Sequence, residues 1–182
     1  METLKRYEID LKNIPLSSRE VFYYELGNDF FDLVEGTEVR QGKVGITVEV
    51  AKVSSAYEMN FHTEGIVKVE CDRCLGNIEM SVKAENKLLV TLWETYSETS
   101  DEQVTVSEEE GTINIAWFMY EFIVLALPLK RVHKEGECDE NMSSILRELC
   151  VEEASEENKL QTEGDRHIDP RWEALRNLIE DN

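Results

Sequence analysis

Basic residues are scarce in this chain, with 19 lysines and arginines against 39 acidic residues and a formal net charge of −20. A surface with this balance repels phosphate backbones, which argues against nonspecific nucleic-acid binding and favours basic protein partners. The chain also lacks any run of about 18 apolar residues, and its first residues have no apolar signal core. We therefore expect a cytoplasmic protein without a membrane span.

The motifs of the common enzyme classes are missing as well. The chain has no Gly-rich phosphate loop, no GxSxG turn, no HExxH helix and no paired-aspartate metal motif. Of its three histidines, His62 and His167 have no partner nearby in sequence and belong to no triad. We predict no catalytic residue and no bound organic cofactor, and hence a protein that acts by binding.

Hydrophobic residues make up 41% and charged residues 32% of the chain, which is a globular composition. Between Gly42 and about Trp93, apolar and polar residues alternate in four segments that are separated by short turns. This pattern predicts an antiparallel meander of four strands, open or partly closed into a small barrel. The four segments are Val44–Val50, Tyr57–Phe61, Val67–Cys71 and Ile78–Val82, with a turn expected at Gly65 between the second and third.

The segment TINIAWFMYEFIVLALPLK predicts one buried helix. Asn114 is a suitable N-cap, the helix is expected to end near Leu127, and Pro128 then prevents its continuation. A helix that is apolar nearly all round is normally covered by other elements, so we expect Glu121 to lie at its edge. The acidic segment from Ser97 to Gly111 reads as a solvated loop, or alternatively as an arm for a basic partner.

Together these patterns predict an α+β fold with a mainly β domain over residues 1–150. Within it, the apolar spacing from Met142 to Leu149 predicts a short helix. An acid-rich linker follows over residues 151–168, and a C-terminal helix over residues 169–182 begins at Asp169 and Pro170. That terminal helix is expected either to dock on the domain or to bind another protein as an adaptor.

Two of the four cysteines, Cys71 and Cys74, form a C-x-x-C pair in VECDRCLGN, at the expected tip of a hairpin. His133 and Cys138 lie around Gly136, just after the buried helix. Three thiolates and one imidazole complete a closed tetrahedral zinc site of the structural type. The same residues also fit a thiol redox pair at Cys71 and Cys74, or four unlinked reduced side chains.

The order of these motifs resembles that of the YceD family, the large ribosomal RNA subunit accumulation proteins. The resemblance rests on E-C-x-R-C from Glu70 to Cys74, on E-x-x-x-L-A-L-P from Glu121 to Pro128, and on DPRW from Asp169 to Trp172. It implies a role in large-subunit ribosomal RNA accumulation and ribosome assembly, with no established enzymatic activity. A ribosomal protein or a pre-ribosomal particle is the partner that it implies.

The resemblance also bears on the metal, since relatives carry a cysteine pair followed by downstream His or Cys ligands. The residues that match here are Cys71, Cys74, His133 and Cys138. One small basic cluster, Lys130, Arg131 and Lys134, lies in the same region and is the candidate for a direct phosphate contact.

Overall fold

The structure is a computed structural model that describes residues 2–16, 18–100 and 102–149. After a short 3-10 turn, Glu2–Tyr7, it contains eight strands and three α-helices in these ranges. The strands are β1 (Glu8–Asp10), β2 (Arg19–Leu26), β3 (Gln41–Val53), β4 (Ala56–Glu70), β5 (Asn77–Trp93), β6 (Ser97–Ser100), β7 (Gln103–Ser107) and β8 (Thr112–Asn114). The helices are α1 (Asn28–Val34), α2 (Ala116–Leu125) and α3 (Glu140–Leu149).

The main sheet has six strands in the order β2-β3-β4-β5-β7-β6, and β1 pairs with β8 in a second, two-stranded sheet. Consecutive strands from β2 to β5 pair antiparallel, whereas β5 and β7 run parallel. Because β2 and β6 form two separate edges, the main sheet is open and is not a closed barrel. The predicted α+β class with an antiparallel meander is confirmed.

The meander has fewer and longer strands than the alternation predicted. The segments Tyr57–Phe61 and Val67–Cys71 were expected to be separate strands, but β4 runs from Ala56 to Glu70 without a turn at Gly65. Gly65 lies opposite Val44 on β3. A Cβ at Gly65 would come within 2.4 Å of the Lys43 carbonyl oxygen, so this glycine allows two strands to approach closely.

The acidic segment was predicted to be a loop, and that prediction is wrong over much of its length. Ser97–Ser100 and Gln103–Ser107 form β6 and β7, and β7 pairs with the end of β5. Val104 and Val106 are buried on β7. Two valines at alternate positions are the period-two signal of a strand, which outweighs the local excess of acidic side chains.

Helix α2 is buried against the inner face of the sheet, as predicted. Phe122 packs edge-on against Phe61 of β4, with ring centroids 5.0 Å apart. The side chain of Asn114 accepts a hydrogen bond from the Ala116 backbone N–H at 3.0 Å, but the N-cap of α2 is Ile115, one residue later than predicted. Glu121 lies at the helix edge and accepts a hydrogen bond from the Trp117 indole N–H at 2.7 Å.

The chain divides into two units between Asp139 and Glu140. The described part of the second unit is α3, whose apolar side chains fall on one face, and it confirms the short helix predicted over Met142–Leu149. The predicted linker 151–168 and the predicted terminal helix 169–182 lie outside the described residues. Among the helices that the structure describes, none is long and apolar enough to cross a bilayer.

Candidate metal centre

The first two cysteines lie at the tip of the β4–β5 hairpin, as the sequence predicted. Cys71 directly follows β4, and its backbone N–H donates to the Gly76 carbonyl at 2.8 Å. The Leu75 N–H donates back to the Cys71 carbonyl at 2.9 Å, and Leu75 takes a positive φ of 60°. This tight turn directs the Cys71 and Cys74 side chains inward, where both are buried.

The segment after α2 brings the second pair of donors to the same place. The Cys74 Sγ lies 3.4 Å from the His133 Nδ1, and the Cys138 Sγ lies 3.9 Å from the same nitrogen. One donor atom from each of the four residues lies within 4.8 Å of all the others. We call this group the Cys3His cluster; its members are Cys71, Cys74, His133 and Cys138.

A backbone carbonyl orients the imidazole of the cluster. The His133 Nε2 lies 3.1 Å from the carbonyl oxygen of Asn77, the first residue of β5. Because a carbonyl only accepts hydrogen bonds, Nε2 is the nitrogen that donates, and Nδ1 faces the sulfur atoms. Metal-binding histidines are commonly held in this way by an acceptor on the distal nitrogen.

Backbone N–H groups favour the thiolate form of the hairpin cysteines. Burial raises the pKa of Cys71, but hydrogen bonds from the backbone N–H groups of Cys74, Arg73 and His133 and from the Cys74 side chain together lower it to about 6. The backbone N–H of Asp139 lowers the pKa of Cys74. Burial and the neighbouring Cys74 thiol raise the pKa of Cys138. A divalent cation relieves the mutual repulsion of thiolates gathered this closely.

The donor set fits zinc. Three sulfurs and one imidazole nitrogen are the ligands of structural Cys3His sites, in which each donor lies about 2.0–2.3 Å from the ion. Thiolates around tetrahedral zinc are about 3.8 Å apart by that geometry. Donor atoms that already lie within 4.8 Å of one another therefore need to move by only about 1 Å. No ligand position stays open for substrate in such an arrangement.

An arginine ties the two parts of the site together, and the sequence analysis missed this role. The Arg131 guanidinium contacts Glu38 at 2.7 Å and Asp72 at 3.6 Å. The Arg131 backbone N–H also donates to the Asp72 carboxylate at 2.6 Å, and its carbonyl accepts from the Asp72 N–H at 2.7 Å. We call the side-chain contacts the Arg131 clasp.

Nothing in the sequence marked this contact, because Glu38 and Arg131 are 93 residues apart. The sequence placed Arg131 in a basic cluster for phosphate contact together with Lys130 and Lys134. In the structure the guanidinium faces two carboxylates, which compensate its charge and raise its pKa. Of the three residues in the basic cluster, Lys130 and Lys134 remain as candidates for a phosphate contact.

Among the described residues, the remaining histidine, His62, lies away from the cluster. His62 is on β4 and its Nδ1 lies 3.6 Å from a Glu85 carboxylate oxygen, with the His62 side chain 46% exposed. His62 therefore belongs neither to a triad nor to the cluster. His167 and Cys150 lie outside the described residues.

Comparison with known proteins gives one family. The family described as "Large ribosomal RNA subunit accumulation protein YceD" matches residues 59–179, about two thirds of the chain. The match spans the hairpin cysteines, α2 and the segment of His133 and Cys138. No curated protein and no solved structure matches the chain. The chain belongs to the YceD family of large ribosomal RNA subunit accumulation proteins.

Proposed function

We propose that the protein is a non-catalytic factor that supports accumulation of the large-subunit ribosomal RNA and assembly of the ribosome in the cytoplasm. The family match over residues 59–179 carries this proposal. The second element of the proposal is one structural zinc ion bound by the Cys3His cluster. The closeness of the four donors supports it, since all lie within 4.8 Å of one another.

Zinc in this position serves the fold. The cluster joins the β4–β5 hairpin tip to the segment after α2, and these parts of the chain are distant in sequence. Because the binding free energy of a structural metal adds to the folding free energy, the ion strengthens this long-range connection. The Asn77 carbonyl and the Arg131 clasp position the ligand-bearing segments, and the backbone N–H groups at the hairpin tip hold thiolates at neutral pH.

Two features favour a structural zinc site over a thiol redox pair. Redox-active cysteine pairs are partly accessible and typically stand at a helix N-terminus, which lowers the thiol pKa. Here Cys71 has no exposed surface and the pair leads into a strand, β5. The lowered pKa of Cys71 comes from hydrogen bonds of the turn, of His133 and of the Cys74 side chain, and from no helix N-terminus.

The charge of the chain supports a protein partner. With a net charge of −20, most of the surface repels RNA and attracts basic proteins. We therefore propose a ribosomal protein, free or within a pre-ribosomal particle, as the partner that the factor binds.

Depletion of the protein tests the functional part. We expect the ratio of large-subunit to small-subunit ribosomal RNA to fall, and sucrose gradients to show a deficit of large subunits. Wild-type protein should restore both measurements, whereas the Cys71→Ser, Cys74→Ser double variant should not. Cys150→Ser, outside the cluster, is the matched control and should restore them. A normal ratio of large-subunit to small-subunit ribosomal RNA and a normal subunit profile after complete depletion would contradict the proposal.

Elemental analysis of untagged protein, purified without chelator, tests the zinc. We expect one zinc ion per chain in the wild type and in Cys150→Ser, and none in the double variant. Loss of zinc should lower the thermal midpoint. If the protein contains no zinc and Cys71 reacts rapidly with iodoacetamide at neutral pH, the redox alternative replaces the structural site.

A further inference from the structure

One face of helix α2 is apolar and exposed although the rest of the helix is buried. Trp117 is 51% exposed and Leu125 is 74% exposed, and Val124 between them is partly buried. Positions 117, 121, 124 and 125 fall on one side of an α-helix, so the apolar side chains of Trp117, Val124 and Leu125 form a stripe beside the Glu121 carboxylate. Exposed apolar stripes of this kind commonly mark interaction sites.

The stripe forms the floor of a groove. The groove has a volume of about 700 Å³ and is partly open to solvent. One wall is the turn of residues 35–38 after α1, and the other is formed by Ser100 and Val104 on β6 and β7. We call it the α2 groove. An open groove over a helix suits a polypeptide segment better than a small molecule, which is normally enclosed on most sides.

Every charged side chain that lines the α2 groove is acidic: Glu35, Glu38 and Glu121. Arg131 compensates Glu38 in the clasp, and Glu121 accepts a hydrogen bond from a neutral indole N–H, which leaves its charge in place. The groove therefore combines an apolar floor with a negative rim in a chain of net charge −20. Such a rim favours cationic segments and disfavours phosphates.

We propose that the α2 groove binds a lysine- and arginine-rich segment of a large-subunit protein through an apolar anchor side chain. The proposal rests on the function proposed above and deepens it by naming the docking surface and the chemistry of its partner. The anchor packs against the apolar stripe of Trp117, Val124 and Leu125, and the basic side chains around it face the acidic rim. RNA lacks a complementary charge, and a second copy of this chain would bring a like-charged rim.

Fluorescence anisotropy with three labelled peptides tests the chemistry on the full-length protein. The first peptide is rich in lysine and arginine and carries a central Leu-Phe pair. The second keeps the charges and replaces the pair with serines, and the third keeps the pair and replaces the charges with glutamates. We expect the first to bind at least about tenfold more tightly than either of the others. Equal binding of the first two overturns the proposal.

Two pairs of variants localise the binding. Leu125→Ser and Glu121→Lys alter the α2 groove, whereas Ile66→Ser and Glu64→Lys make the same kinds of change at exposed positions of β4. We expect the groove variants to bind the first peptide about tenfold more weakly and the control variants to bind it as the wild type does. An equal loss in both pairs means general charge attraction and overturns the proposal.

The chain's own C-terminal segment and RNA are the competing occupants. If Trp172→Ala in the full-length chain strengthens peptide binding about tenfold, the groove holds that segment instead, and the proposal fails. A single-stranded RNA that displaces the peptide from the groove overturns the proposal. The proposal stands if the RNA binds, Glu121→Lys strengthens this binding and the peptide does not displace the RNA. None of these outcomes bears on the depletion assay, so failure of the docking surface is distinguishable from failure of the function.

Discussion

Replacing Arg131 with methionine tests whether the Arg131 clasp positions the ligands of the Cys3His cluster. Methionine keeps most of the aliphatic volume of the arginine and removes the guanidinium, which contacts Glu38 at 2.7 Å and Asp72 at 3.6 Å. The Arg131 backbone N–H still donates to the Asp72 carboxylate and the Arg131 carbonyl still accepts from the Asp72 N–H, since neither bond uses the Arg131 side chain. The substitution therefore isolates the charged contacts.

The magnitude follows from the exposure of the partners. A hydrogen bond to a charged group contributes about 1.5–3 kcal/mol when shielded, and an exposed ion pair about 0–1 kcal/mol. The Arg131 side chain is 24% exposed and that of Glu38 is 48% exposed, which places the clasp between these limits. We take about 1.4 kcal/mol, which corresponds to about tenfold in an equilibrium constant. Without the clasp, zinc binding must itself hold the two ligand-bearing segments together. That requirement makes zinc binding less favourable by this amount, so the Kd for zinc rises by about tenfold.

Competition with a chromogenic chelator at constant pH measures the Kd for zinc. Arg19→Met is the matched control, because Arg19 forms a similar pair with Glu49 at 2.9 Å, at the other end of β3 from the cluster. We expect the control to bind zinc as the wild type does. A zinc Kd for Arg131→Met within about twofold of the wild type refutes the positioning role. An equal weakening in Arg19→Met does so as well.

Three further predictions concern buried groups and pH. The Tyr120 hydroxyl accepts hydrogen bonds from the Glu38 and Val39 backbone N–H groups at 3.0 and 3.2 Å. Tyr120→Phe leaves both N–H groups without this acceptor. It should cost about 2 kcal/mol and lower the Tm by about 5 °C in calorimetry. Thr63 is buried and its hydroxyl finds no partner among the described residues, so Thr63→Val should raise the free energy of unfolding in urea by about 1 kcal/mol. The pKa of Cys71 is lowered to about 6, so below that pH protons compete with zinc for this thiolate, and the Kd for zinc should rise as the pH falls through about 6.

Matched controls accompany these predictions. Tyr23→Phe removes the hydroxyl of a tyrosine that is 78% exposed on β2, and Thr47→Val changes a partly buried threonine on the solvent side of β3. Both should leave stability nearly unchanged. An unchanged Tm for Tyr120→Phe, a loss of stability for Thr63→Val, or a zinc Kd that does not change between about pH 7 and 5 contradicts the corresponding prediction.

Local patterns were enough to predict most elements of the fold. Alternation located the inner face of β3, β4 and β5, and the apolar run before Pro128 located α2. The two errors have one origin, since each depends on which strand lies alongside. Gly65 reads as a turn by itself, and only the close approach of β3 makes it an interior residue. The acidic segment reads as a loop until β5 provides the pairing edge for β7.

The sequence by itself determined which residues are able to bind a metal, because cysteine and histidine are the side chains with suitable donors. It also determined that Cys71 and Cys74 share one turn. Only the tertiary structure decided that His133 and Cys138 join them, since that requires α2 to pack on the sheet and return the chain to the hairpin tip. The Arg131 clasp and the α2 groove arise in the same way. Contacts between residues distant in sequence depend on how elements pack, and no local pattern of residues encodes them.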